Sequence, residues 1–225
     1  VEPSAVMVAQ RAANAAPVVR AVAEHLPFQD GAFDAALAVL TLHHWSDPVG
    51  GLHELRRVAP RRVVVTWDLD VLEDTFWFAR DYLPEVFERE RDLARLETAV
   101  AGLGPGCEVR VLPVPWDCRD GFFAAYWRRP EVYLDPAARS AMSTLALMPQ
   151  EPVARAVAAL QRDLESGRWH ERYADLLARD ELDLGYRLVV QSSDRLAVVF
   201  EGYPVTTPPG STTALCRRYF LIVLD

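Results

Sequence analysis

Lysine is missing altogether: the 24 basic residues are all arginine, against 32 acidic ones, for a net charge of −8. With the abundance of alanine, this bias points to a GC-rich coding sequence rather than to a function. A surplus of acid argues against a nucleic-acid surface, which is normally basic. Cysteine is scarce too. Cys107, Cys118 and Cys216 form no CxxC and no zinc-ligand spacing, so a reduced, cytoplasmic protein without a metal centre is expected. Asp117, Cys118 and Asp120 mix hard and soft ligands with no histidine beside them, which speaks against a metal there. No apolar run approaches the ~18 residues needed to span a membrane, and VEPSAVMVAQ lacks the basic start and long apolar core of a signal peptide. A phosphate-cradling glycine loop is absent as well: GLGPG at 102–106 is not preceded by the required strand.

What is present is the composition of one globular domain of 225 residues, half apolar and a quarter charged. The chain is organised around AEHLPFQDGAFDAALAVLTLHHW, residues 23–45. Ala35–Leu40 is apolar without alternation, which predicts a parallel strand buried on both faces. Thr41-Leu42-His43-His44-Trp45 follows at once, where the carboxyl ends of α/β strands bind ligands. In extended chain the two imidazoles would point to opposite sides. Asp47 as cap with Pro48 at the first position starts a helix, with Val49, Leu52, Leu55 and Val58 as its apolar stripe. Val63–Trp67 is the next buried strand. Asp68 at its end either positions a substrate or caps the following helix.

Elsewhere, Val1–Ser4 reads as the end of a strand leading into a helix over Ala5–Ala12, and Pro17–Val22 as a short strand. Leu69–Ala101 is helical with a break near Pro84. Its aromatics, Phe76, Trp77 and Tyr82, serve either as helix packing or as a substrate wall. Cys107–Pro113 and Tyr186–Val190 read as strands, and Ala137–Ala178 as helices interrupted near 149–152 and 166–167. The order of strands and helices predicts an α/β, Rossmann-like, doubly wound and mostly parallel sheet, with a helical cap over its carboxyl edge. In the tail, Leu196–Phe200 and Tyr219–Leu224 are strand-like and Thr206–Thr213 is a loop.

AEHLPF, FDAALAV, LHHW, PWDCRDGF and YWRRPEVYLDP together resemble the class I S-adenosylmethionine (SAM)-dependent methyltransferases, in particular their small-molecule methyltransferase type 11 branch. The resemblance covers about residues 1–190, with a helical cap at about 114–184, and leaves 191–225 as a tail of unknown role. It implies SAM as cofactor and a small-molecule methyl acceptor, with neither nucleic acid nor membrane as partner. Glu2, in a (D/E)-P-S-x-x-M pattern with Met7, would accept from both ribose hydroxyls, as a carboxylate can. Ala23 and Glu24 would cover the adenine through backbone groups, because the aspartate of many relatives is replaced by Val22. Thr41 and Leu42 would meet the cofactor through their backbone, and His44, with His43 beside it, would stand at the acceptor. Both imidazoles could instead serve only to fix the corner.

The family's first strand and glycine-rich turn should lie just before Val1. Truncation at the N-terminus is the expected reason for their absence, since a sheet without its central strand leaves backbone groups unpaired. The alternatives are that this version lacks the first strand, or that Tyr219–Leu224 returns to fill that slot. In either of these last two cases the 225-residue chain would bind SAM poorly. A non-catalytic binding or assembly protein on the same fold is the second reading of function. A nicotinamide-dependent oxidoreductase is the third, and AEHLPF and LHHW speak against it.

Overall fold

The computed structural model describes residues 1–192 and the backbone of 219–223. Leu196–Phe200 and Thr206–Thr213 lie outside the described residues, as does Cys216. Two compact units emerge. Among the described residues, the first comprises 1–67, 94–110, 187–192 and 219–223, and the second 68–93 and 111–186.

The first unit holds the sheet. Its framework is β1 (Ala35–Val39), α2 (Pro48–Val58), β2 (Arg61–Trp67), α6 (Leu96–Leu103), β3 (Glu108–Val111), β6 (Tyr186–Gln191) and β7 (Tyr219–Val223), with α1 (Ala5–Gln10) near the start. The strand order is β3-β6-β2-β1-β7. β1 runs parallel to β2, with Ala35 opposite Arg61 and Val39 opposite Val65. It also runs parallel to β7, with Ala35 opposite Tyr219 and Val39 opposite Val223. The mixed α/β fold with parallel strands is the one the sequence predicts.

Burial along β1 alternates instead of being continuous. Ala36 and Ala38 are fully buried, while Ala35, Leu37 and Val39 are half-buried. The reason is one-sided cover: Ala36 and Ala38 share a core with Leu52, Leu55 and Val58 of α2, Ala99 and Leu103 of α6, and Val64 and Val189. Each buried leucine there contributes about 1.5–3 kcal/mol. Val49, expected on the buried stripe, is exposed in the first turn of α2. Leu40 has left the strand, with φ at +47°.

Pro17–Val22 is not a strand, and neither is Val1–Ser4. A strand needs a ladder, and the backbones of these stretches meet in the bond from the Glu2 amide to the Val19 carbonyl at 3.1 Å, with the Arg20 side chain donating to the Pro3 carbonyl at 3.2 Å. Pro17 has no amide to donate, and Val19 and Val22 face solvent. The helix after Ser4 forms as the sequence predicts, its cap accepting from the Met7 amide at 3.3 Å.

The second unit is mostly helical: α3 (Leu69–Thr75), α4 (Trp77–Tyr82), α5 (Glu85–Glu90), α7 (Pro136–Ala141), α8 (Ser143–Ala146), α9 (Gln150–Glu165), α10 (Arg168–Arg172) and α11 (Ala174–Leu177). A small antiparallel pair joins β4 (Val114–Pro115) to β5 (Glu181–Leu182). Phe76, Trp77, Phe78, Trp127, Tyr133 and Trp169 are fully buried. Among the described residues no helix is long and apolar enough to cross a membrane.

Gly102 marks how closely α6 lies on α2, because a Cβ there would run into the Leu52 side chain. Leu52 is buried in the core and has no room to withdraw. Gly102→Ala should therefore lower stability by about 1–3 kcal/mol, read as a shift of the denaturation midpoint. A variant as stable as the parent would show that α6 and α2 are less tightly packed at this point.

Candidate active site

The candidate site is the rim of the first unit where β1 ends. Leu40 turns the chain with its positive φ while its amide still donates to the Val65 carbonyl at 3.0 Å. A 3₁₀ turn over Leu42–His44 follows. This corrects the extended geometry expected for the histidine pair. With about three residues per turn, the two rings are not forced to opposite sides. Their centroids lie 3.8 Å apart at 46°. His43 is half-buried and His44 exposed.

Thr41 and Leu42 are buried, and their carbonyls accept from the His44 and Trp45 amides at 2.9 and 3.3 Å. The Thr41 hydroxyl oxygen accepts from the Trp45 indole at 3.2 Å. Asp47 then caps α2, accepting from the Gly50 amide at 3.0 Å.

The loop after Val22 is tied to this corner. One carboxylate oxygen of Glu24 accepts from the Ser46 hydroxyl at 2.9 Å and from the Asp47 amide at 3.0 Å. Burial pushes the Glu24 carboxyl up, but the Asp47 amide, its own amide and the Ser46 hydroxyl outweigh it, so the acid is held below the ordinary value. The Glu24 side chain is thus committed to holding the loop in place. Ala23 and Leu26 are buried in the core beside Leu42 and Trp45.

A second tie carries no mark in the sequence. Arg57 donates to the carbonyls of Phe28 at 2.6 Å and Leu26 at 3.0 Å, to Asp30 at 2.9 Å and to both oxygens of Glu54 at 2.7 Å. Glu54 in turn accepts from the Leu26 amide at 2.9 Å. The i,i+3 spacing of Glu54 and Arg57 is readable as a helix pair. Their reach to a loop some 30 positions earlier is not.

Glu2 is buried, and its Oε1 accepts from the Ser4 amide at 2.7 Å. This bond orients the carboxylate, and the group keeps the acceptor chemistry that a vicinal diol requires. Asp68 lies in the other unit as the cap of α3, accepting from the Val71 amide at 3.4 Å.

A rim of this kind, at the carboxyl end of parallel strands, is where open α/β sheets bind ligands. Residues 1–63 match the type 11 family described as "Methyltransferase domain". The structure is similar to that of a candidate methyltransferase from an antibiotic biosynthesis pathway of Anabaena variabilis ATCC 29413. The TM-score is 0.77 at 29% identity, covering 85% of this chain and 79% of that one. Two others align with lower scores. The [4+2]-cyclase SpnF gives 0.33 at 22% identity, over 76% of this chain and 53% of its own. A candidate methyltransferase from Bacillus halodurans C-125 gives 0.35 at 14%, over 77% and 75%. No curated protein matches the chain. The family match stops at residue 63, whereas the likeness to the Anabaena structure extends over most of both chains.

The Glu54–Arg57 clamp has a pH signature. The Arg57 hydrogen bond first, with the Leu26 amide beside it and burial opposing, holds Glu54 below its ordinary value of 4.5. A depressed carboxyl contributes stability that is complete above the unfolded value and is lost as pH falls through the lowered one. Arg57→Ala should cost about 1–2 kcal/mol at neutral pH, and the gap from the parent should narrow on acidification below 4.5, leaving the part carried by the two carbonyl bonds. Thermal melts of both proteins across the acid range measure it. A gap that stays constant with pH would contradict the clamp.

Proposed function

We propose that the protein is a SAM-dependent methyltransferase acting on a small molecule, with the cofactor lying across the rim from Glu2 to the histidine corner. The observation that carries this reading is the Glu24 tie. It fastens the Ala23–Phe28 loop to the Ser46–Asp47 corner, within the residues that the family match covers. Support for a small-molecule acceptor comes from the Anabaena relative, which is assigned to antibiotic biosynthesis.

In this reading the Glu2 carboxylate, oriented by the Ser4 amide, accepts from the ribose hydroxyls. Ala23 and Glu24 present backbone to the adenine, Ala23 because it is small and Glu24 because its side chain is engaged elsewhere. Thr41 and Leu42 line the rim with backbone. Bound SAM supplies an electrophilic methyl group on a sulfonium centre. The chain therefore has to align the acceptor and keep water out, and a base is needed only where the acceptor must lose a proton. The exposed His44 imidazole is the group assigned to take that proton, with His43 behind it.

Calorimetry on the full-length protein should show binding of SAM and none of NADH. Glu2→Gln should weaken SAM binding roughly tenfold to a hundredfold, the worth of one or two hydrogen bonds to a charged acceptor. His44→Ala should leave SAM affinity within about twofold. It should lower methyl transfer to an accepted small molecule by about 10²–10⁴. Failure to bind either nucleotide would overturn the enzyme reading. Equal loss of affinity and turnover in His44→Ala, with a lowered melting temperature, would reduce the histidine to a structural role.

A further inference from the structure

We propose that Trp67 is a positioning residue for the histidine pair, so that three rings in series fix the orientation of His44. The inference rests on the reading of His44 as the acceptor-side group. Trp67 is the last residue of β2 and is buried at 7% exposure. Val39 stands opposite Val65, so Trp67, two residues further along β2, lies at the end of the sheet from which the histidine corner departs. The indole meets the His43 ring nearly edge-on, centroids 4.7 Å apart at 70°. The His43 ring in turn lies 3.8 Å from that of His44. Exposure rises along the series, from the buried indole through half-buried His43 to exposed His44.

The physical need for such a brace is specific to imidazole. The torsion that turns the ring is broad and roughly two-fold, and the two ring nitrogens are chemically distinct. A histidine that takes a proton from a bound acceptor must therefore be held about that torsion as well as placed in space. The solvent-facing ring of His44 rests against His43, and His43 rests against a tryptophan fixed by the sheet. Orientation thus passes from the β2 backbone to the exposed ring through two ring contacts.

The indole N–H of Trp67 has no acceptor among the described residues. The brace therefore works through ring shape and contact rather than through a hydrogen bond. Phenylalanine should serve in its place, and an aliphatic side chain should not.

Imidazole ¹⁵N–¹H spectra of the full-length protein test this, with the other three of its five histidines as internal controls. In Trp67→Leu the resonances of both His43 and His44 should move, while those of His25, His53 and His170 stay. In Trp67→Phe both should remain near their parent positions. Should Trp67→Leu fail to fold, His43→Ala must shift His44 on its own. Core packing alone would lower the melting temperature and leave His44 unmoved. An unchanged His44 in Trp67→Leu or His43→Ala overturns the proposal, as does a His44 displaced equally by Phe and Leu. These spectra need no ligand, so absence of SAM binding would sink the enzyme reading while the brace stands or falls on the resonances alone.

Discussion

The hydrogen bond from the Trp45 indole to the Thr41 hydroxyl closes the corner on which the rest of the rim depends. Both groups are buried, and a buried polar atom without a partner costs free energy that a small domain can ill spare. Satisfying each other, they let Leu42 and Trp45 enter the core while His44 between them stays exposed. Trp45 also sets the approach of α2, since a Cβ at Gly51 would run into its ring. One side-chain bond thus couples the direction of the helix to the placement of the imidazoles. The Glu24 carboxylate then locks the neighbouring loop onto the same corner through Ser46 and Asp47.

Much of this is legible in the sequence because it follows from local rules. The apolar runs AALAVL and VVVTW mark strands, and Asp47-Pro48 marks the helix start, each through a requirement that one segment carries by itself. The parts that the sequence misplaces depend on partners. Pro17–Val22 has the composition of a strand but no ladder of backbone bonds among the described residues. Leu40 looks like strand interior, yet it is the residue that turns the chain. The histidine pair reads on a period of two, whereas a 3₁₀ turn governs it. Nothing in the spacing of Glu54 and Arg57 says that the guanidinium ends on the carbonyls of residues 26 and 28. Long-range polar contacts leave little local signature, and this site is assembled from them.

The aromatic residues of the second unit illustrate the opposite case, in which the plainer reading holds. The Trp77 indole donates to the Trp127 carbonyl at 2.7 Å, and the Trp127 indole to that of Val114 at 3.1 Å. The Tyr133 hydroxyl donates to the Phe123 carbonyl at 2.8 Å, and its ring stacks on Phe78 at 4.4 Å. With polar edges satisfied and faces packed, these rings are committed to holding the unit together. An acceptor pocket drawn from Phe76 or Trp77 would first have to open that core, which aromatic burial of this extent resists.

Leu40 shows why the rim is a rigid platform rather than a loop. A non-glycine residue with φ at +47° costs about 1–2 kcal/mol, and such strain persists only where the surroundings over-determine it. Here they do so from both sides. Upstream, β1 is paired through Val39 and the Leu40 amide is held by Val65. Downstream, Thr41 and Leu42 are anchored in the core. Two fixed ends one residue apart leave Leu40 no alternative conformation. The direction in which the histidine corner leaves the sheet is therefore set by the strand ladder itself. A catalytic group mounted there inherits the precision of the sheet, and only the torsions of its own side chain remain to be fixed by its neighbours.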